Sequence, residues 1–164
     1  PVYCNVKLRG NTSLHYPKKS FSLKLHQPIK IFDFQPTRRL NLVCTYRDST
    51  HIKEKLCYDL FRSFDEQNPY YATPKSRIVE LFLNHEYQGI YELAETIDAD
   101  HLNFESYHPL DPHPDVLYKA VGTGANTKYW HQKSYIQKAP DPRQIEYWEP
   151  LAFLFLDQCR QTLV

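Results

Sequence analysis

The chain has 164 residues, enough for one ordinary domain or two small lobes. Its 41% hydrophobic and 24% charged residues are close to globular averages, and a net charge of +1 argues against nucleic-acid binding driven by bulk charge. No apolar run approaches the roughly 20 residues of a membrane span, and no basic segment precedes an apolar run as in a secretory leader.

Methionine is absent and the chain opens on Pro-Val, within what reads as a strand, so a piece of a longer protein is expected. Residues 3–8 alternate weakly and end at the polar turn Arg9-Gly10-Asn11-Thr12-Ser13. After Pro17-Lys18-Lys19-Ser20, residues 21–25 alternate strictly between apolar and polar, the period of a half-buried strand. The two segments are expected to pair antiparallel across a long loop carrying His15, Lys18 and Lys19. Pro28 and Pro36 then bracket an apolar piece at 29–34, and residues 40–44 form another predicted strand.

From there the period changes to that of a helix. Ile52, Leu56, Leu60, Phe61 and Phe64 share a stripe expected to be buried, and Asp48, Ser49 or Thr50 can cap the start. Residues 77–83 and 88–94 predict a hairpin through the turn Asn84-His85-Glu86-Tyr87, with Glu80 and Glu92 on its solvent side. The Pro-, His- and Asp-rich residues 107–115 form a predicted linker, 116–120 a short strand and 122–126 a turn. A last helix is expected from Pro150, where proline suits a first turn and the apolar run 151–156 implies burial. The fold expected from this order is α+β, an antiparallel sheet with one helix packed on it.

The four cysteines, Cys4, Cys44, Cys57 and Cys159, lack the C-x-x-C spacing and histidine pairs of a zinc site, so all are expected as reduced core residues. The histidines likewise lack ligand spacing, and no metal site is predicted. Gly122-Thr-Gly-Ala-Asn126 lacks the lysine-serine ending of a phosphate-binding Walker loop. No nucleophile-elbow sequence supports a hydrolase.

Several segments together resemble the CotH kinase-like family. They are Arg9-Gly-Asn-Thr-Ser13, Pro17-Lys-Lys-Ser-Phe21 with Leu23-Lys24-Leu25, Tyr46-Arg-Asp-Ser-Thr50, and Ser76-Arg-Ile-Val-Glu-Leu-Phe-Leu-Asn84. Tyr87-Gln-Gly-Ile-Tyr91 with Glu95, Leu117-Tyr-Lys-Ala120 and the weaker residues 135–138 continue the pattern in order. Lys53 stands where arginine is expected and His85 where glycine is usual. The first change keeps the charge and loses the planar fork.

The resemblance implies an atypical kinase that uses ATP with magnesium or manganese to phosphorylate protein serines, in bacterial spore coats or at cell surfaces. It implies a kinase-like small lobe over residues 1–97, a hinge at 92–97, and the beginning of a larger helical lobe over 98–164. The acidic residues that hold metal and orient the acceptor hydroxyl are expected downstream of this chain, so the piece alone is expected to be inactive. Arg9, Lys18, Lys19, Lys53 and Lys119 are the candidate phosphate-binding cations, and Glu95 marks the hinge that would hold the base. Each also has a plainer reading: a solvated basic loop for the first three, a helix-bordering charge for Lys53, an exposed edge for Lys119. Lys24 faces either solvent or a nucleotide cleft. A non-catalytic coat-assembly or surface-binding module is the alternative function, and a nuclease a weaker one.

Overall fold

The computed structural model describes residues 2–64, 73–111, 114–120, 135–146 and 148. Two compact units divide the chain, Pro1–Leu102 and Asn103–Val164. The expected turn at 122–126, the helix from Pro150 and Cys159 lie outside the described residues.

The first unit is a five-stranded antiparallel sheet with one helix, the α+β arrangement that the order of periods predicts. Strands β1 (Cys4–Arg9), β2 (Ser20–Ile29), β3 (Thr37–Val43), β4 (Ser76–Leu83) and β5 (Glu86–Glu95) lie in the order β1-β2-β3-β5-β4. Helix α1 (Lys53–Phe64) connects β3 to β4. The arrangement is consistent with a small kinase-like lobe.

Because directly paired residues share a face, the register separates two chemistries. One face carries Phe21 opposite Leu42, Leu23 opposite Leu40, Leu42 opposite Leu93 and Val79 opposite Tyr91. These form the core, closed by Phe34, which is 1% exposed, and by Ile29 and Ile31. Burial of such side chains stabilises by about 1.5–3 kcal/mol each. The other face is more polar and carries smaller side chains: Lys7, Ser22, Asn41, Ala94 and Ser76 stand opposite one another across all five strands.

Strands β4 and β5 join through Asn84-His85, both at positive φ (51° and 70°), the backbone of a two-residue hairpin turn whose twist matches the strands. Asn and His enter this region more often than other non-glycine residues, and glycine adopts it without steric cost.

Three expectations are corrected. Residues Ile52, Leu56, Leu60, Phe61 and Phe64, the helical stripe, are exposed, Phe64 by 68%. The opposite side of α1, with Glu54, Lys55, Tyr58, Asp59 and Arg62, is the half-buried one. Glu92 is fully buried, because β5 is covered on both faces from Tyr91 to Glu95. Cys4 and Cys57 are exposed, on the edge strand and on the outward side of α1, while Cys44 is buried as expected.

In the second unit, β6 (Leu117–Ala120) pairs antiparallel with β7 (Tyr135–Ala139). Gln137 is buried and donates to the carbonyls of Pro140 and Ile145, both at 2.8 Å, and Tyr118 stacks on Trp148.

Candidate functional site

A groove of about 400 Å³ opens where the β1–β2 loop, the end of β3 and the start of α1 meet. Arg9 enters it from the last position of β1, Arg47 from the β3–α1 connection and Lys53 from the first residue of α1. The sequence holds them together through register. Arg9 stands opposite Ser20, on the polar face, and Ser20 accepts the Cys44 N–H at 3.0 Å, which ties the 44–48 segment to the loop. Tyr16 and Tyr46 stack across the groove with ring centroids 5.2 Å apart.

Asp48 organises the helix end. Its carboxylate accepts the Thr50 hydroxyl at 2.6 Å, the Thr50 N–H at 3.0 Å and the Lys53 N–H at 2.9 Å. These donors, the Thr50 hydroxyl first, hold its carboxyl well below the usual carboxylate range against a partial opposing effect of burial. The Lys53 ammonium lies 3.6 Å away. Asp48 therefore already answers the positive end of α1, and a further anion in the groove must be met by side chains.

Arg9 and Arg47 supply that need. Both are exposed, and neither makes a hydrogen bond or ion pair among the described residues. Asp48 and Glu54 also line the groove and Lys53 is paired with Asp48, so its free charge is that of the two guanidinium forks, which suit an anionic ligand. Arg47 was not singled out from the sequence, where Asp48, Ser49 and Thr50 of the block Tyr46-Arg-Asp-Ser-Thr50 were considered as helix caps. Its place in a block that carries the family resemblance was the available signal.

The other candidates have different surroundings. Lys18 crosses to β5, where it donates to the Ile90 carbonyl at 2.6 Å and lies 4.4 Å from the Tyr91 ring centroid. Lys19 folds back on its own loop and donates to the Leu14 and Tyr16 carbonyls, both at 2.7 Å. Both amines hold the loop in place. Glu95 is buried and accepts the backbone N–H groups of Gln35 and Lys75, each at 2.8 Å, so it pins the ends of two connections to β5. Lys24 is exposed beside Arg39 on the polar face. Lys119 is exposed in the second unit, opposite Ile136.

The polar face leads from the groove towards the expected hinge. Ser22 donates to Asn41 at 3.1 Å, and the Asn41 amide donates to Thr96 at 2.9 Å. This ladder crosses β2, β3 and the end of β5 with small side chains only.

The matching family decides the identity. The model of the CotH kinase protein family matches residues 6–160, nearly the whole chain. The chain belongs to the CotH kinase protein family. No curated protein matches it. In CotH terms the groove lies between the two quoted blocks Arg9-Gly-Asn-Thr-Ser13 and Tyr46-Arg-Asp-Ser-Thr50, which the fold brings together across some 40 residues of sequence. The CotH match also spans both compact units.

Proposed function

We propose that this CotH-family chain forms the nucleotide-binding part of an ATP-dependent protein kinase, which transfers a phosphoryl group to serine hydroxyls of a protein substrate. The observation that carries the reading is the groove with Arg9 and Arg47 unpaired and Lys53 at its rim. Arg9 and Arg47 bind the phosphates from two sides, and Lys53 shares its charge between Asp48 and the ligand. In this reading the ribose and base lie along the sheet over the polar ladder Ser22–Asn41–Thr96, towards the backbone of residues 92–97.

Magnesium or manganese, when bound to the phosphates, would neutralise charge developing on the transferred group. Among the described residues no three His, Cys, Asp or Glu side chains gather as a metal site, and none is given that task. The work of the described residues is to bind, orient and offset charge. A phosphate 4 Å from one cation gains about 1 kcal/mol in water and up to about 4 kcal/mol in a site of effective dielectric 20.

The test is transfer of labelled γ-phosphate from ATP to a serine-rich acceptor with magnesium or manganese. Label on serine that is lost in the double variant Arg9→Gln, Arg47→Gln supports the kinase. Nucleotide binding without transfer under either metal would favour the alternative, a CotH-type binding or coat-assembly module.

A further inference from the structure

The groove uses only the last residue of the edge strand β1. Pairing of β1 with β2 runs without a bulge from Cys4 opposite Leu25 to Arg9 opposite Ser20. In the same register the His26 N–H donates to the Tyr3 carbonyl at 3.1 Å, which fixes the alternation of the ladder. In an antiparallel pair, residues that exchange hydrogen bonds alternate with residues whose N–H and C=O groups point the other way. Counting on from Tyr3, the backbone of Asn5, Lys7 and Arg9 bonds to β2, and that of Cys4, Val6 and Leu8 turns outward. Because β1 ends the sheet, no described strand meets these outward groups.

The side chains add two chemistries to this row. Cys4, Val6 and Leu8 share the apolar face with Leu25, Leu23 and Phe21. Val6 is 57% exposed and Leu8 53%, so the apolar face runs out to an uncovered margin. The other face of β1 carries Asn5, Lys7 and Arg9, all exposed, with Lys24 opposite Asn5. Strands β1, β2 and β3 hold no Asp or Glu. Over residues 1–47, nine Lys and Arg stand against Asp33 alone. Lys7 and Lys24 make no hydrogen bond or ion pair among the described residues.

Folded proteins blunt an edge of this kind with proline, a bulge, a cover or charge. Neither proline nor bulge interrupts β1, and positive charge is the device it has. That charge selects among occupants. A second copy of β1, paired antiparallel, would set Asn5, Lys7 and Arg9 against the same three residues, and like charges directly opposite are destabilising. Lipid headgroups supply anions but no row of amides at strand spacing. A strand with acidic residues on one side and apolar residues on the other answers the backbone and both faces at once.

We propose that the outer edge of β1 takes up an extended segment of a partner protein in which acidic residues alternate with apolar ones. The segment adds a sixth strand to the sheet. Its backbone pairs with Cys4, Val6 and Leu8, its apolar side chains continue the face of Leu23 and Leu25, and its carboxylates meet Lys7, with Lys24 behind. This docking goes beyond the nucleotide groove and does not rest on kinase activity.

The test uses the full chain without nucleotide and a fluorescein-labelled peptide of about eight residues alternating glutamate and valine, followed by fluorescence anisotropy. The parent is expected to bind it, less tightly as salt rises, and to bind the lysine–valine counterpart at least about tenfold more weakly. Val6→Pro removes an outward N–H and spares the ladder with β2, since proline is tolerated on the open side of an edge strand. It should weaken binding about tenfold or more with an unchanged circular dichroism spectrum. Lys7→Glu should cost about fivefold and narrow the preference for glutamate over lysine. No binding by the parent, equal binding by folded Val6→Pro, or equal binding of the lysine peptide would overturn the proposal. If Val6→Pro does not fold, peptides methylated at the valine or at the glutamate nitrogens replace it. One of the two should then lose about tenfold, and a loss in neither overturns the strand addition. A dimer of the parent that Lys7→Glu strengthens, or binding to phosphatidylserine vesicles, in either case with no peptide bound, would give the edge to another occupant and also overturn it. Because no nucleotide enters, a failure of ATP binding or transfer would count against the kinase reading alone.

Discussion

At the scale of single residues, two carboxylates show how much structure one acceptor can organise. Asp48 joins Thr50 and the first turn of α1. Asp48→Ala is expected to lower the melting temperature by roughly 5 °C, measured by circular dichroism, with the loss read from the α1 signal. The pH sign follows from its depressed carboxyl. The stabilisation is present above the ordinary aspartate range and is lost as pH falls through the lower folded value. Parent and variant should therefore converge in acid. Glu95 is the buried counterpart. Glu95→Ala strands the N–H groups of Gln35 and Lys75 and is expected to cost about 2–4 kcal/mol in denaturant unfolding. The cysteines give a simpler check: Cys4 and Cys57 should react with a thiol reagent in the folded chain, and Cys44, whose thiol donates to the Lys18 carbonyl, only after unfolding.

At the scale of elements, the β4–β5 turn carries the clearest prediction. His85 sits at φ 70° and is exposed. Left-handed backbone costs a non-glycine residue about 1–2 kcal/mol, and glycine gives back roughly half through its freer unfolded chain. His85→Gly should thus raise stability by about 0.5 kcal/mol in urea unfolding, and His85→Val should lower it. The strands and this turn were legible because alternation and turn chemistry are local properties. The helix was legible as a helix but its orientation was not. Periodicity marks a stripe; which side meets the sheet depends on what Glu92, Ser76 and Val43 offer from distant strands. Glu92 misled for a related reason: alternation in a strand implies a wet face only when one face is open, and β5 is covered on both. Lys18 and Lys19 were expected as ligand-facing cations, and backbone carbonyls of β5 and of the loop itself are what they meet.

At the scale of the molecule, colinear weak motifs proved more informative than any one of them, and the family match over residues 6–160 bears out the resemblance. The site was only partly legible. Arg9 and Lys53 meet at one groove, as register and loop closure require, and Arg47 joins them from a connection whose path no local pattern reveals. The free charges of the groove are the guanidinium groups of Arg9 and Arg47, so its ligand should be anionic and its affinity sensitive to salt. The most direct measurement is a titration of the full chain with a fluorescent ATP analogue at low and high salt, in the parent and in Arg9→Gln, Arg47→Gln. The parent should bind, and the double variant should lose about tenfold or more in affinity at low salt while keeping its circular dichroism spectrum. Undiminished binding by a folded double variant, or no binding by the parent, would contradict the assignment of this groove to the phosphates.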